Sequence, residues 1–348
     1  MNHDAASPQL HFGGPDCPPR ALRDLLKERI MAVPAGGDIR WTTYYFRDLD
    51  LANVLMAASD RGVRVRLCVE GHPRLATAND EVLARLSAHG LGGGLRVHVP
   101  ALSMLAGLHG HQHAKIYAFS HPRPTALVGS FNPSGNIPED QAVIAEIGDQ
   151  DRGHNMLAEL TQPLLVNGLC DHVERLWRHG ASSFSRFSPR QNRVLAAGPT
   201  SIYFYPRLCP SVMERDLARP VAGKGIRGVI SHLKKGSLTH RLASAARRGL
   251  SVDLLVHDTE RRVPEATIDM LMDAGVKIRR YRHADKLPVH AKFLLLDVPE
   301  GRAAYFGSFN FNPRSRYLNH EVLVRTAEDS ITARLDQRFE EIAQEKNQ

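Results

Sequence analysis

Two stretches of this chain read alike: Arg61-Gly-Val-Arg-Val-Arg-Leu-Cys-Val-Glu-Gly71 and, 187 residues later, Arg248-Gly-Leu-Ser-Val-Asp-Leu-Leu-Val-His-Asp258. An alanine-rich amphipathic segment precedes each glycine, at residues 51–59 and 238–247. This order is typical of a helix that ends at a glycine and is followed by a buried strand. The chain is therefore predicted to be an internal duplication.

The rest of each copy continues the same alternation. A second helix is predicted at residues 80–88 and 264–273, and a short strand at residues 95–99 and 276–281. Strands that alternate with helices predict an α/β sandwich in each half. We expect an N-terminal half at residues 1–180, a linker at 181–198 that is rich in Ser, Arg and Pro, and a C-terminal half at 199–348.

Each half then carries the same polar motifs. His113-Ala-Lys115 and His290-Ala-Lys292 are followed by Gly129-Ser-Phe-Asn132 and Gly307-Ser-Phe-Asn310. A histidine and a lysine two residues apart on a strand project from the same face. Two halves related by a pseudo-two-fold axis would bring two imidazoles, two ammonium groups and two amides around one point. Such a cage suits a phosphodiester, with one imidazole for attack and one for protonation.

These motifs resemble the phospholipase D superfamily, whose signature is H-x-K-x4-D followed by G-S-x-N in each half. The second copy matches in full, including Asp297, and its continuation from Arg314 to Glu321 is similar to the cardiolipin-synthase and phosphatidyltransferase branch. The first copy has Ser120 where the signature has aspartate. Aligning residues 143–145 with residues 322–324 puts Ala142 opposite Glu321, with Glu139 and Glu146 as poor substitutes.

The resemblance implies two phospholipase D-like halves, one shared active site and a two-step reaction without cofactor or metal. His113 is expected to attack phosphorus and form a phosphohistidine, and His290 to act as acid and base, held by Glu321. The groups expected to bind the non-bridging oxygens are Lys115, Lys292, Asn132 and Asn310. The groups expected to support them are Ser130, Ser308, Asp297 and Glu321.

A metal site is the alternative for His109, His111 and His113, which alternate along one predicted strand face. Imidazole suits zinc, but no carboxylate or cysteine set accompanies these histidines. His113 is also part of the repeat. We therefore expect no metal here, with His109 and His111 at the mouth of the pocket or without a ligand.

The amino-acid composition indicates the charge of the partner but not its chemical class. Lys and Arg exceed Asp and Glu by 45 to 37, which favours an anionic partner, either phospholipid or nucleic acid. The four cysteines form no C-x-x-C pair, no signal peptide is recognisable, and no apolar stretch is long enough to cross a membrane. We expect a cytoplasmic monomer, and a peripheral membrane contact through the apolar residues 101–108 stays open.

Three functions stay open at this stage. The first is hydrolysis or transfer of phosphatidyl groups, which the run from Arg314 to Glu321 favours. The second is a nuclease of the same superfamily, which the basic balance favours. The third is a catalytically inactive protein that binds an anionic ligand, which the missing first-half aspartate favours.

Overall fold

The computed structural model describes residues 8–99, 110–135, 141–179, 187–208, 211–219 and 225–345. The apolar segment 101–108, His109 and Glu139 lie outside the described residues, so the expectations for them stay predictions. Below, the first half means residues 8–179 and the second half residues 187–345.

The first half contains a seven-stranded mixed sheet in the order β1-β7-β6-β5-β2-β3-β4. Its strands are β1 (Gln9–Gly13), β2 (Asp38–Thr43), β3 (Arg64–Glu70), β4 (Leu95–His98), β5 (Ile116–Phe119), β6 (Thr125–Gly129) and β7 (Asn155–Leu160). Strands β2, β3 and β4 are parallel, and the other neighbours in the sheet pair antiparallel.

The second half contains an eight-stranded sheet in the order β12-β11-β10-β13-β14-β15-β9-β8. Its strands are β8 (Leu195–Ala197), β9 (Thr200–Tyr205), β10 (Ile226–Ile230), β11 (Val252–His257), β12 (Lys277–Tyr281), β13 (Lys292–Val298), β14 (Gly301–Gly307) and β15 (Glu321–Thr326). With β2 matched to β10, the strands from β2 to β7 have the same order and directions as those from β10 to β15. The predicted α/β fold of two repeated halves is confirmed.

Helices cover the outer face of each sheet and fill the space between the sheets. The first-half helices are α1 (Ala21–Met31), α2 (Leu49–Asp60), α3 (Asp80–His89), α4 (Gln141–Ile147) and α5 (Pro163–His179). The second-half helices are α6 (Val212–Leu217), α7 (Ser237–Arg247), α8 (Glu265–Met272), α9 (Pro313–Tyr317) and α10 (Asp329–Gln344). Leu169 of α5 and Phe339 of α10 belong to a central core that contains residues of both sheets, whereas α1 to α3 and α6 to α8 pack in the two outer cores.

The two halves meet in a crossed pair of parallel bridges. Gln112, just before β5, bridges to His320, just before β15, and Val289, before β13, bridges to His154, before β7. Gln112 and Val289 are repeat-related positions, and so are His154 and His320. In each half, the segment before one strand therefore pairs with the segment before a strand of the other half, as a pseudo-two-fold relation requires.

The structure differs from the sequence prediction in a few elements whose sequence pattern is weak. The sequence predicts a closing helix for the first half at residues 171–179, and helix α5 begins eight residues earlier, at Pro163. Strand β8 falls within the predicted linker and pairs with β9. Strand β1 and helix α1 were not predicted, because the repeat recognised in the sequence begins only at residue 38, although β1 pairs with β7 as β9 pairs with β15. Within the part of the chain that the structure describes, no helix is long and apolar enough to cross a membrane.

Candidate active site

The two His-x-Lys motifs meet at the crossed bridges. The backbone N–H of His113 donates to His320 O (3.0 Å), and that of His290 donates to His154 O (2.9 Å). Both imidazoles are nearly buried and line one central cavity of about 680 Å³. The pseudo-two-fold relation therefore brings together the two histidines that the sequence pattern singled out.

His113 is held by a carboxylate from the opposite half. Its Nδ1 lies 2.8 Å from Oε2 of Glu321, which is completely buried. Glu321 also accepts hydrogen bonds from the hydroxyls of Ser308 (2.5 Å) and Ser315 (2.6 Å). The expectation that Glu321 holds His290 is therefore wrong. The reason is the crossing of the halves, which puts the start of β15 against the segment before β5.

His290 is held by an amide. Its Nδ1 lies 3.0 Å from Oδ1 of Asn155, which also accepts a hydrogen bond from Ser130 Oγ (3.0 Å). The Asn155 Nδ2 group donates to Gln150 O (2.7 Å), which leaves Oδ1 as the atom that faces His290. An accepting oxygen makes Nδ1 of His290 the donor, so Nε2 is the nitrogen left for a substrate.

Asn155 occupies the position that corresponds to Glu321, so the alignment that placed Ala142 there is wrong. Asn155 begins β7 and Glu321 begins β15, and the strand register pairs Gly129 with Leu157 as it pairs Gly307 with Leu323. The signal available in the sequence was the histidine that precedes each residue. It was missed because Asn155 follows Asn132 by 23 residues, whereas Glu321 follows Asn310 by only 11.

The glycine and serine of the Gly-Ser-x-Asn motifs fit these two positions. A Cβ on Gly129 would lie 2.1 Å from Met156 O, and one on Gly307 would lie 2.3 Å from Val322 O, so only glycine permits this strand spacing. Ser130 Oγ accepts from Met156 N (3.0 Å), and Ser308 Oγ accepts from Val322 N (3.1 Å). Both serines thus hold the histidine partners from β7 and β15.

The motif lysines are buried beside the histidines. Lys115 Nζ donates to His113 O (2.7 Å), and Lys292 Nζ donates to His290 O (2.6 Å). Burial lowers the pKa of Lys115 to about 7. Burial, together with the charge of Lys115, holds the pKa of Lys292 well below its ordinary value. An anion between the lysines would relieve both effects.

The motif asparagines also line the central cavity. Asn132 Nδ2 donates to Gln150 Oε1 (2.8 Å), and its Oδ1 accepts from Tyr45 N (3.2 Å). Asn310 is 5% exposed, and no donor among the described residues is within hydrogen-bond distance of its Oδ1. Each amide retains at least one group to offer a ligand.

Burial keeps both imidazoles neutral in the unliganded site. It lowers the pKa of His113 to about 4, although the Glu321 carboxylate opposes the shift. The pKa of His290 lies well below its ordinary value because of burial and the charges of Lys292 and Arg262. Near neutral pH, His113 is therefore a neutral imidazole, with its proton on Nδ1 facing the Glu321 carboxylate and with Nε2 unprotonated. That is the form in which Nε2 is a nucleophile.

Ser120 accepts a backbone hydrogen bond at the position where the second motif has Asp297. Its Oγ accepts from Asp38 N (2.8 Å) at the start of β2, and Asp297 Oδ2 accepts from Gly225 N (3.1 Å) just before β10. Asp38 and Gly225 are repeat-related positions. Asp297 also forms an ion pair with Arg302 (2.8 Å). Both residues anchor the far ends of their strands, away from the cavity.

Of the three histidines weighed as a metal site, the structure describes His111 and His113, and these two face different partners. His111 lines the cavity and lies 3.6 Å from a Glu70 oxygen, whereas His113 faces Glu321. Among the described residues, the group with three close ligand atoms is Asp16, His154 and Glu345. Arg338 donates to both Asp16 and Nδ1 of His154 (3.1 Å), so a guanidinium already occupies that position.

The sequence matches the family described as "Cardiolipin synthase, PLD-like domain" over residues 31–141 and 221–343. No curated protein matches it at a significant level. The fold is similar to that of phosphatidylserine synthase from Haemophilus influenzae Rd KW20, with a TM-score of 0.69 at 14% identity over 97% of this chain and 86% of that chain.

Two further structures are similar in part. Polyphosphate kinase from Porphyromonas gingivalis gives a TM-score of 0.60 at 16% identity over 97% of this chain, which spans 50% of that kinase. Nuc, a phospholipase D family member from Salmonella typhimurium, gives 0.36 at 19% identity over 49% of this chain and 95% of that chain. At these identities, the likeness to the synthase and to the kinase concerns the fold alone.

Proposed function

This chain belongs to the cardiolipin synthase, phospholipase D-like domain family, and we propose that it hydrolyses or transfers phosphatidyl groups of phospholipids through a phosphohistidine on His113. The observation that carries the proposal is the unequal pair of imidazoles in one cavity. His113 faces a carboxylate, and His290 faces an amide. Unequal partners suit unequal roles in a two-step displacement.

In the first step, Nε2 of His113 attacks phosphorus, a P–N bond forms, and the P–O bond to the alcohol breaks. The imidazole gains positive charge as it is phosphorylated, and the Glu321 carboxylate at Nδ1 compensates that charge. Lys115 and Lys292, with the amides of Asn132 and Asn310, stabilise the non-bridging oxygens. His290 gives its Nε2 proton to the departing alkoxide.

In the second step, His290 takes a proton from water or from an acceptor alcohol, whose oxygen attacks phosphorus while the P–N bond breaks. Water completes hydrolysis and an alcohol completes transfer. His290 has to be protonated before the first step, although its pKa is low in the unliganded site. The negative charge of the bound phosphodiester raises that pKa, so substrate binding favours protonation of His290, the general acid.

The lipid assignment rests on the family to which the chain belongs. The run from Arg314 to Glu321 contributes Ser315 and Asn319 to the cavity, and both side chains donate to Glu321. The phosphatidyl group on His113 would contact this run. A nuclease of the same superfamily and an inactive anion-binding protein are the alternatives that the experiment has to exclude.

Substrate class is tested with phosphatidylglycerol vesicles in EDTA with added ethanol, with single-stranded DNA in a parallel reaction. We expect phosphatidylethanol, detected by mass spectrometry, and no DNA cleavage. DNA cleavage without lipid turnover would establish the nuclease instead. Loss of lipid turnover in His113→Asn, with Asn192→Gln as the control outside the cavity, ties the activity to this site.

The roles of the histidines are tested with bis(p-nitrophenyl) phosphate, whose leaving group needs no proton. His290→Asn should then accumulate a covalent phosphoryl adduct, seen by intact-protein mass spectrometry at alkaline pH, and His113→Asn should form none. The opposite result would exchange the two roles. Absence of both adduct and turnover with every substrate would favour the binding protein.

A further inference from the structure

A chain of four hydrogen-bonded polar side chains lies beside the segment 288–291, and none of the four lines the central cavity. Arg338 Nη2 donates to His154 Nδ1 (3.1 Å), and His154 Nε2 donates to Glu345 Oε2 (3.0 Å). The Tyr281 hydroxyl donates to the same Glu345 oxygen (2.6 Å). Because Nδ1 accepts and Nε2 donates, the ring of His154 is fixed in one tautomer and one orientation.

The main chain of His154 holds the segment that contains His290. His154 O accepts from His290 N (2.9 Å) and from Ala291 N (2.7 Å), and His154 N donates to Pro288 O (2.9 Å). The next residue, Asn155, contacts the imidazole of His290 through Oδ1 (3.0 Å). Two consecutive residues therefore hold both the backbone and the ring of His290.

Arg338, at one end of the chain, is itself held by two acids. It is 2% exposed, its Nη2 donates to Asp16 Oδ1 (2.9 Å), and its Nη1 donates to Glu341 Oε2 (3.0 Å). Asp16 follows β1, whereas Glu341 lies on α10 with Arg338. The orientation of the His154 ring thus depends on contacts from the first strand and from the last helix of the protein.

The repeat-related position in the first half has a different arrangement. His172 corresponds to Arg338, since each follows the first residue of the preceding strand, β7 or β15, by 17 residues. The ring of His172 stacks on Phe204 at 3.8 Å, whereas the guanidinium of Arg338 lies 5.1 Å from the centre of the Phe12 ring and reaches His154. The contact of a guanidinium with the bridging histidine therefore belongs to the half of the site that holds the general acid.

We infer that Arg338, His154 and Glu345 are positioning residues that hold His290 for proton transfer to the leaving group. The proton moves from His290 Nε2 to the departing oxygen, and the three residues act only through the backbone and ring contacts of residues 154 and 155. A displacement of about 1 Å in a reacting group can cost on the order of 100-fold in rate. This inference rests on the proposed function, which supplies the proton transfer by His290.

The first test compares two soluble diesters that differ in their leaving group. Phenol leaves diphenyl phosphate with the help of a proton, whereas p-nitrophenol leaves bis(p-nitrophenyl) phosphate without one, and kcat/KM covers this step for both. Glu345→Ala should lower kcat/KM about tenfold for diphenyl phosphate and less than about threefold for bis(p-nitrophenyl) phosphate. A purely structural role would lower both values equally, and an equal loss or no loss would overturn the inference.

Glu340→Ala is the matched control, because Glu340 lies on α10 and pairs with Arg227 (2.8 Å) at a distance from the chain. It should leave both values unchanged. Glu345→Gln keeps an acceptor for His154 Nε2 and should restore most of the activity on diphenyl phosphate, and a loss as large as in Glu345→Ala would contradict positioning by this contact. If Glu345→Ala does not fold, Tyr281→Phe takes its place, with a smaller selective loss expected and an unchanged ratio of the two values as the contrary result.

Hydrogen exchange of the segment 288–292, followed by mass spectrometry, tests the positioning without turnover. The N–H groups of His290 and Ala291 donate to His154 O, so they should exchange at least about fivefold faster in Glu345→Ala than in the unmodified protein. Unchanged exchange would overturn the inference. If the unmodified protein turns over no phosphodiester, the proposed function is rejected, and the exchange result alone decides whether the chain holds His290.

Discussion

Glu321 and His113 lie 208 residues apart in the chain, yet Glu321 Oε2 and His113 Nδ1 are 2.8 Å apart across the junction of the halves. The matching atoms on the other side of the pseudo-two-fold axis are Asn155 Oδ1 and His290 Nδ1. One imidazole therefore has a charged partner and the other a neutral one. This difference distinguishes the two histidines by chemistry.

Replacing Glu321 by glutamine should slow formation of the phosphohistidine. The amide preserves the size of the side chain but removes the charge that compensates the phosphorylated imidazole. We expect the burst of p-nitrophenol from bis(p-nitrophenyl) phosphate to slow roughly 10- to 100-fold. Rapid-quench kinetics measure it, with Glu28→Gln at an exposed position as control. An unchanged burst would mean that Glu321 only supports the fold.

Asn155→Asp should give His290 a charged partner and raise its pKa. Because the general acid must be protonated for the first step, activity on a poor leaving group falls as pH rises through that pKa. We expect the basic limb of the profile of kcat/KM against pH to move up by roughly one to two units. A shift confined to the acidic limb would contradict the assignment of His290 as the acid.

Anion binding should take up protons. The pKa of Lys115 is about 7 in the unliganded site, so at pH 8 this lysine is mostly neutral, and the pKa values of Lys292 and His290 also lie well below their ordinary values. A bound phosphate raises all three, and we expect an uptake of roughly one proton at pH 8. Calorimetry in buffers of different ionisation enthalpy measures it. Lys115→Met should reduce the uptake, and proton release on binding would refute this account.

Ser120→Ala should weaken the fold and leave the chemistry intact. The variant loses an acceptor for Asp38 N and should lower the free energy of unfolding by about 0.5–1.5 kcal/mol. Urea denaturation measures this change, and kcat should stay at the level of the unmodified protein. A drop in kcat at unchanged stability would instead indicate that this position acts on the reaction.

His172 should make the protein sensitive to acid. It stacks on Phe204 with ring centroids 3.8 Å apart, and burial together with the Arg175 charge lowers its pKa to about 3. In the unfolded chain His172 binds a proton near pH 6.5, whereas in the folded chain it stays neutral until the pH approaches 3. Stability from this residue is therefore lost as pH falls from about 6.5 toward 3.

The cost should reach roughly 2 kcal/mol between pH 6.5 and pH 5. Urea midpoints of His172→Leu should accordingly vary less with pH than those of the unmodified protein. His240→Leu at an exposed position is the control, and a variant with the same pH dependence as the unmodified protein would contradict this explanation.

The repeat made much of this structure predictable. The positions of His113 and His290, the alternation of strands and helices and the two-half architecture all follow from motifs that occur twice. The histidine partners do not follow, because a pairing across the pseudo-two-fold axis is a property of how the halves dock. Asn155 was missed for two reasons: the segment before it is twelve residues longer than its counterpart, and an amide stands where an acid was sought.

The crossed bridges between Gln112 and His320 and between Val289 and His154 have a consequence for synthesis on the ribosome. A nascent chain that has emerged only as far as β7 contains His113 without Glu321 and Asn155 without His290. The two histidine–partner pairs are therefore complete only after β15 has emerged and docked. A product of translation that is truncated before β15 carries His113 without its carboxylate partner, and we expect it to be inactive.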